Sequence, residues 1–185
     1  PECWGITVIH CPYCHGYEVR NKKTGVLGNG DMTGYEFPLM ISHWTKDLSL
    51  YTNGPAKISQ EQREKLKERG IAVVETKIKM FEHSRGQIQH IVFKNGSKAA
   101  VEALYGPRPF EQHCHIPESL GCELSEEGYI KTDPMQATTV PGVFACGDSV
   151  TRIRTVANAV AMGATAGMML NRQLIFEEAG IKSAH

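Results

Sequence analysis

The sequence predicts an α/β fold: a parallel sheet with helices, extended by an antiparallel meander, and then a second segment built on one long helix. Three observations carry this expectation. The short apolar run Thr24-Gly25-Val26-Leu27 feeds Gly28-Asn29-Gly30 and then a helical stretch. Strand-length apolar runs alternate with helical segments as far as Val74, the order a parallel β-α-β-α-β unit needs. From Lys77 to Leu104 the period drops to two, around Ser84-Arg85-Gly86 and Asn95-Gly96, which reads as hairpins.

The 185 residues have 41% hydrophobic content, ordinary for one good-sized domain or two small ones. Lys+Arg and Asp+Glu stand at 20 each, so no net field favours nucleic acid or an anionic membrane surface. The most apolar run, Val156 to Leu170, is broken by Asn158, Gly163 and Thr165 and is shorter than the roughly 20 residues of a membrane span. Six cysteines are too sparse for a secreted disulfide scaffold, and a reducing, cytoplasmic setting is expected.

The first element is Cys11-Pro12-Tyr13-Cys14-His15-Gly16. Two cysteines separated by two residues can close a small disulfide ring, and the second thiol's proximity is expected to lower the first one's pKa, so the pair can exchange electrons two at a time. The same residues match c-type haem attachment as C-x-x-C-H, and with His113, Cys114 and His115 they supply zinc-ligand types. All three readings stand at this point, beside plain buried cysteines.

In the second element, Gly28 makes a tight turn and Gly30 lets the backbone approach a pyrophosphate at the start of a helix expected over residues 32–45. Thr33 occupies the usual third glycine position, and Gly34 comes one residue late. Residues 48–52 read as the next strand, ending where an adenosine ribose is recognised. Thr52-Asn53-Gly54 supplies neither an acid nor an arginine there, and Lys57 is the only nearby cation. Ser59 caps a charged helix that Gly70 stops, Ile71 to Val74 is a third parallel strand, and the meander then covers one face of the sheet. A boundary is expected near Val101, with Gly106-Pro107-Arg108-Pro109 breaking the chain.

The last motif is Thr138-Thr139-Val140-Pro141-Gly142-Val143-Phe144-Ala145-Cys146-Gly147-Asp148, read as a buried strand ending in Gly147-Asp148, with a long helix beginning near Arg154-Thr155-Val156. An Asp at a strand's end accepts hydrogen bonds from sugar hydroxyls, and the helix N-terminus offers free N–H groups, so a second dinucleotide is implied. An ordinary turn followed by a helix cap explains the same residues. The helix is rich in Ala and Gly, which suits close packing against neighbours.

Together, Trp4-Gly5, the C-x-x-C, the Gly28-Asn29-Gly30-Asp31 turn and Pro141 to Asp148 resemble the low-molecular-weight thioredoxin reductase family of flavoproteins, in order and spacing over nearly the whole chain. Within it the resemblance is to the subgroup in which His follows the second cysteine, as in gliotoxin dithiol oxidase. The resemblance implies a Rossmann-like NAD(P)-binding domain over residues 1–100 and the C-terminal portion of an FAD-binding domain over 101–185, the latter's N-terminal glycine fingerprint lying outside this chain. It implies FAD and NADP, or NAD, as cofactors, no metal, a homodimer, and as partner a small dithiol or disulfide or a thioredoxin-like protein. Carried over residue by residue, Cys14 faces the flavin, Cys11 exchanges with the substrate, and His15 moves the thiol proton. Gly28, Gly30, Asp31, Met32 and Thr33 line the nicotinamide nucleotide's pyrophosphate, with Asn53 at its ribose. Gly147 and Asp148 hold the FAD ribityl and phosphate region, with Arg154, Thr155 and Val156 near the flavin ring. The expected activity is reduction of a disulfide with electrons from NAD(P)H. The opposite direction, oxygen-dependent dithiol oxidation with little nicotinamide use, is the alternative, as is a catalytically silent nucleotide-binding fragment.

Overall fold

The structure, a computed structural model, describes residues 2–106 and 110–181, and the chain divides into two compact units at Arg108/Pro109. In the first unit, β1 (Val8–Ile9), β2 (Thr24–Leu27), β3 (Leu48–Tyr51), β4 (Ala72–Val74) and β8 (Ala103–Tyr105) form one parallel sheet in the order β1-β8-β2-β3-β4. Strands β5 (Ile78–Ser84), β6 (Gln87–Phe93) and β7 (Lys98–Ala100) form a separate antiparallel sheet, the expected meander.

Alternation along each strand sorts the core into two layers. Ile9, Leu50, Ala103 and Tyr105 join Ile41 and Leu66, which come from the helical side of the sheet. Their sequence neighbours Val8, Tyr51 and Leu104 join Ile88, Ile91 and Phe93 from the meander. The meander therefore covers one face of the parallel sheet, as the change of period predicts.

The expected boundary near Val101 is corrected by β8. This strand inserts between β1 and β2, with Leu104 paired to both Val8 and Gly25, so residues 103–105 belong to the first unit's centre. The Gly106–Pro109 break falls partly on residues 107–109, outside the described residues.

The helix expected over residues 32–45 is also different. Residues Met32–Glu36 form a π-helical turn closed by the Phe37 N–H on the Met32 carbonyl, followed by a short α2 (Phe37–Ile41). A π-turn holds one extra residue, which absorbs the late arrival of Gly34. Pro38, in the first turn of α2, brings no N–H to continue a ladder from the preceding turn. Helix α3 (Gln60–Glu68) has the anticipated Ser59 cap, made reciprocal by Gln62.

The second unit holds a short α4 (Ile116–Ser119), a 3₁₀ turn at Gly147–Ser149 and the 23-residue α5 (Val156–Glu178). The buried strand expected before Gly147 is not formed: Phe144 makes one isolated bridge, to Ala137, and residues 143–146 are half-buried. One bridge is not a ladder, so strand geometry has nothing to propagate it. The small residues of α5 make few close contacts among the described residues, Ala159 lying beside Gly147. Only Ala166 is buried, and a methyl on Gly163 or Gly167 would enter open space.

Candidate functional site

Cys11 caps α1 (Pro12–His15): its Sγ accepts the Cys14 N–H at 3.2 Å and the Cys14 thiol at 2.6 Å. Pro12, buried at the first helical position, presets the backbone for this turn. Gly16 closes it tightly, since a methyl there would lie 2.3 Å from the Pro12 carbonyl oxygen and 2.8 Å from the Trp44 ring. The hydrogen bond to Cys11, with burial second, pushes the Cys14 thiol up to about 11. The backbone N–H and the thiol of Cys14 thus converge on Cys11 Sγ, so the two sulfurs differ as hydrogen-bond acceptor and donor, and Cys14 keeps its proton. His15 ends the same helix half-buried, with its backbone N–H on the Cys11 carbonyl.

The glycine loop after β2 has the geometry expected of Gly28 and Gly30. A methyl on Gly28 would lie 2.1 Å from the Thr33 carbonyl oxygen, whereas Gly30 adopts φ +73° beside open space. Gly34 takes the close-packing role in place of residue 33, its missing side chain admitting the Asn29 backbone. Thr33 is turned inward, accepting the Asn29 N–H and donating to the Asn29 carbonyl. Asp31 and Met32 are exposed at the start of the π-turn, and Asp31 accepts a hydrogen bond from Gln62.

Asn29, which sequence reasoning did not single out, is the junction of this region. Its Oδ1 accepts the N–H groups of Gly30 (3.0 Å) and Lys57 (2.6 Å), and its Nδ2 donates to the Pro55 carbonyl at 2.9 Å. It sits between two glycines, and that spacing was the available signal. Asn53, at φ +53°, commits its Oδ1 to the Ile78 N–H at 2.8 Å. Lys57 is not the sole cation nearby. Arg63 reaches Glu75 at 3.2 Å, and the Lys77 stem passes over Gly54. Glu75 also accepts the Ala56 N–H at 2.6 Å, and these two donors, the backbone N–H first, hold its carboxyl below the usual range.

In the second unit, Gly147 takes φ +75° and Asp148 projects into solvent from the turn. Thr155 caps α5 by accepting the Asn158 N–H, and Val156 is 82% exposed. Arg154 is fixed inside the unit, its guanidinium 4.6 Å above the Phe110 ring and donating to the Tyr129 hydroxyl at 3.0 Å. Phe110 and Tyr129 stack at 4.3 Å. The carboxylate of Asp148 can accept hydrogen bonds from sugar hydroxyls, and the leading N–H groups of α5 can donate to a phosphate or ring carbonyl. Among the described residues, no group of three or more His, Cys, Asp or Glu is placed to hold a metal ion.

The model of the pyridine nucleotide-disulphide oxidoreductase family matches residues 16–163. Thioredoxin reductase tcpT of Claviceps purpurea is 32% identical over 189 residues, covering 98% of this chain and 59% of that protein. The crystal structure of HlmI superposes with a TM-score of 0.87 at 31% identity, covering 97% of this chain and 56% of HlmI. An oxidoreductase from Agrobacterium tumefaciens gives a TM-score of 0.85 at 35% identity, covering 95% and 58%. This chain thus spans about three-fifths of the length of the curated relatives it matches. With its fold and the order of its motifs matched over more than half its length, the chain belongs to the pyridine nucleotide-disulphide oxidoreductase family, on the thioredoxin reductase-like side of it.

Proposed function

We propose that this chain supplies the dithiol centre and the nicotinamide-binding unit of a flavin-dependent thiol–disulfide oxidoreductase. The observation that carries the reading is the Cys14 thiol donating to a Cys11 Sγ already capped by the Cys14 N–H. Cys11 attacks the disulfide of a small molecule or of a thioredoxin-like protein, Cys14 resolves the mixed disulfide, and two electrons leave the pair. FAD, when bound, supplies the two-electron exchange that returns the Cys11–Cys14 disulfide to the dithiol at the expense of NAD(P)H. His15, on the same short helix, moves the thiol proton, since one imidazole nitrogen can accept it and the other release it. A homodimer in a reducing, cytoplasmic setting belongs to the same proposal.

The pair's role is tested by thiol counting on the isolated chain under mild oxidation. Wild type loses two titratable thiols per chain, and Cys11→Ser loses none beyond the background of the other cysteines. Equal losses in both proteins defeat the reading.

A second direction, oxidation of a dithiol with oxygen as final acceptor, is favoured by a specific feature of the glycine loop. The backbone cradle for a pyrophosphate is present, but Asn29 Oδ1 takes the Gly30 N–H and the Asp31 carboxylate stands exposed where phosphate charge has to come. Anaerobic addition of NAD(P)H to the complete protein separates the two. Bleaching of flavin absorbance supports reduction of disulfides, and an unchanged spectrum that bleaches only with dithiols supports oxidation.

A further inference from the structure

The first unit has a half-open cavity of about 510 Å³ lined by Tyr13, Leu39, Met40, His43, Trp44 and Arg69. Tyr13 is one of the two residues between the cysteines and precedes Cys14 on α1, the helix that Cys11 caps, so this wall is tied to the motif by one helical turn. Trp44 is held against that helix by Gly16, and its carbonyl accepts the Asn21 N–H at 2.9 Å. The aromatic wall is therefore built into the same local structure as the motif.

The cavity also carries unspent charge. On α3, Arg63 and Lys65 have carboxylate partners in Glu75 and Glu61. Arg69, which caps the end of that helix, and His43 have no carboxylate partner among the described residues. Two aromatic rings with Leu39 and Met40 receive a flat apolar body, and a free guanidinium pairs with a carboxylate in a planar fork. The volume lies within the roughly 300–1,000 Å³ of small-molecule sites.

We propose that this cavity is the substrate subsite of the Cys11–Cys14 pair and that it selects small aromatic disulfides bearing a carboxylate, with the ring against Tyr13 and Trp44 and the carboxylate on Arg69. The inference rests on the dithiol function proposed above. In the exchange, the Cys11 thiolate attacks one substrate sulfur, the substrate S–S bond breaks, and an arene thiolate leaves. The Cys14 thiol gives its proton to solvent and attacks the Cys11 sulfur, releasing the second arene thiolate and closing the Cys11–Cys14 disulfide. Two electrons pass from the dithiol to the substrate.

The test uses the pre-reduced chain, freed of reductant, and two aromatic disulfides: 5,5′-dithiobis(2-nitrobenzoate), with a carboxylate on each ring, and 4,4′-dithiodipyridine, with none. Rates are read in the kinetic phase that disappears in Cys11→Ser. The dicarboxylate is expected to saturate that phase. Arg69→Gln lowers its rate at low concentration by about tenfold and changes the dipyridine by less than about twofold, and Arg69→Lys recovers part of the loss. Lys67→Gln, a cation on the same helix outside the cavity, leaves both probes within about twofold. If Arg69→Gln slows neither probe, or both alike, or if Lys67→Gln has the same effect, the cavity is not the subsite while the dithiol function stands. If neither probe shows a phase dependent on Cys11, the dithiol function falls and this proposal with it.

Discussion

The Asn29 Oδ1 atom accepts the Lys57 N–H at 2.6 Å and so ties the loop after β2 to the loop after β3. In a nucleotide-binding sheet these loops face the pyrophosphate and the adenosine ribose, respectively, and one amide side chain sets their separation here.

Asn29→Ala removes this bond together with those to Gly30 and Pro55, leaving the half-buried Gly30 N–H and the exposed Lys57 N–H and Pro55 carbonyl to find water. The expected loss of stability is about 2 kcal/mol. Asn29→Asp keeps the acceptor, loses the donor, and is expected to cost about 1 kcal/mol. Urea midpoints at unchanged slope measure both; an Asn29→Ala midpoint equal to wild type refutes the junction role.

Much of this fold is legible in the sequence because each signal has a local cause. Ser59 with Gln62 marks the start of α3, the Gly28 turn marks the end of β2, and the two-residue period marks β5 and β6. What escapes has no local cause. Val8–Ile9 is too short to show a period, and its pairing with Leu104 and Tyr105 joins residues almost a hundred positions apart. The π-turn is hidden because Met32 to Glu36 has the composition of any helix, and only the displaced Gly34 hints at an extra residue. Residues 143–146 have the composition of a strand but lack a strand's partners among the described residues. At the site, Cys11, Cys14, Gly28 and Gly30 are visible by spacing, whereas the commitments of Thr33, Asn53 and Arg154 to internal hydrogen bonds depend on which groups the fold brings beside them.

The Cys14–Cys11 hydrogen bond fixes a pH signature. It favours the neutral thiol of Cys14, whose pKa rises to about 11 in the folded chain, above an ordinary thiol value of about 8.5. The folded state thus holds this proton more tightly than the unfolded chain. The associated stabilisation is complete below the unfolded thiol's range and is lost as pH rises through the folded value. Iodoacetamide labelling of Cys14, followed by peptide mass, is expected to accelerate up to about pH 11 in the reduced wild type. In Cys11→Ala the inflection moves down toward the ordinary thiol range. An inflection that does not move removes the hydrogen bond as the cause.

Helix α5 exposes Val156 (82%), Val160 (66%), Met168 (60%) and Ile175 (52%). Apolar surface on this scale along one helix binds hydrophobic dyes and promotes association. The chain in isolation is expected to enhance 1-anilinonaphthalene-8-sulfonate fluorescence and to sediment as a concentration-dependent mixture. Val160→Lys with Met168→Lys should weaken both effects without lowering helix content. A monomeric chain at every concentration, silent toward the dye, contradicts this reading of α5.

The choice of nicotinamide nucleotide turns on Glu75. The groups best placed after β3 to receive a 2′-phosphate are the Ala56 N–H and the Arg63 guanidinium, and both are engaged by the Glu75 carboxylate, which itself repels phosphate. Asn53, whose Oδ1 accepts the Ile78 N–H, offers a phosphate only a neutral amide NH2, which cannot match a guanidinium. Wild type is therefore expected to bind NADH and NADPH weakly, with a preference of about 1 kcal/mol or less for either. Glu75→Gln removes the charge and loosens the hold on Arg63, so NADPH should gain about five- to tenfold over NADH. Combining it with Arg63→Gln should cancel the gain. Because the Glu75 carboxyl is held below its usual range, mild acid does not reproduce the substitution, and any change in preference between pH 7.5 and 5.5 comes from the 2′-phosphate's own protonation. Calorimetry on the three proteins decides the matter: a hundredfold preference in wild type, or no shift in Glu75→Gln, shows that the ribose is read elsewhere.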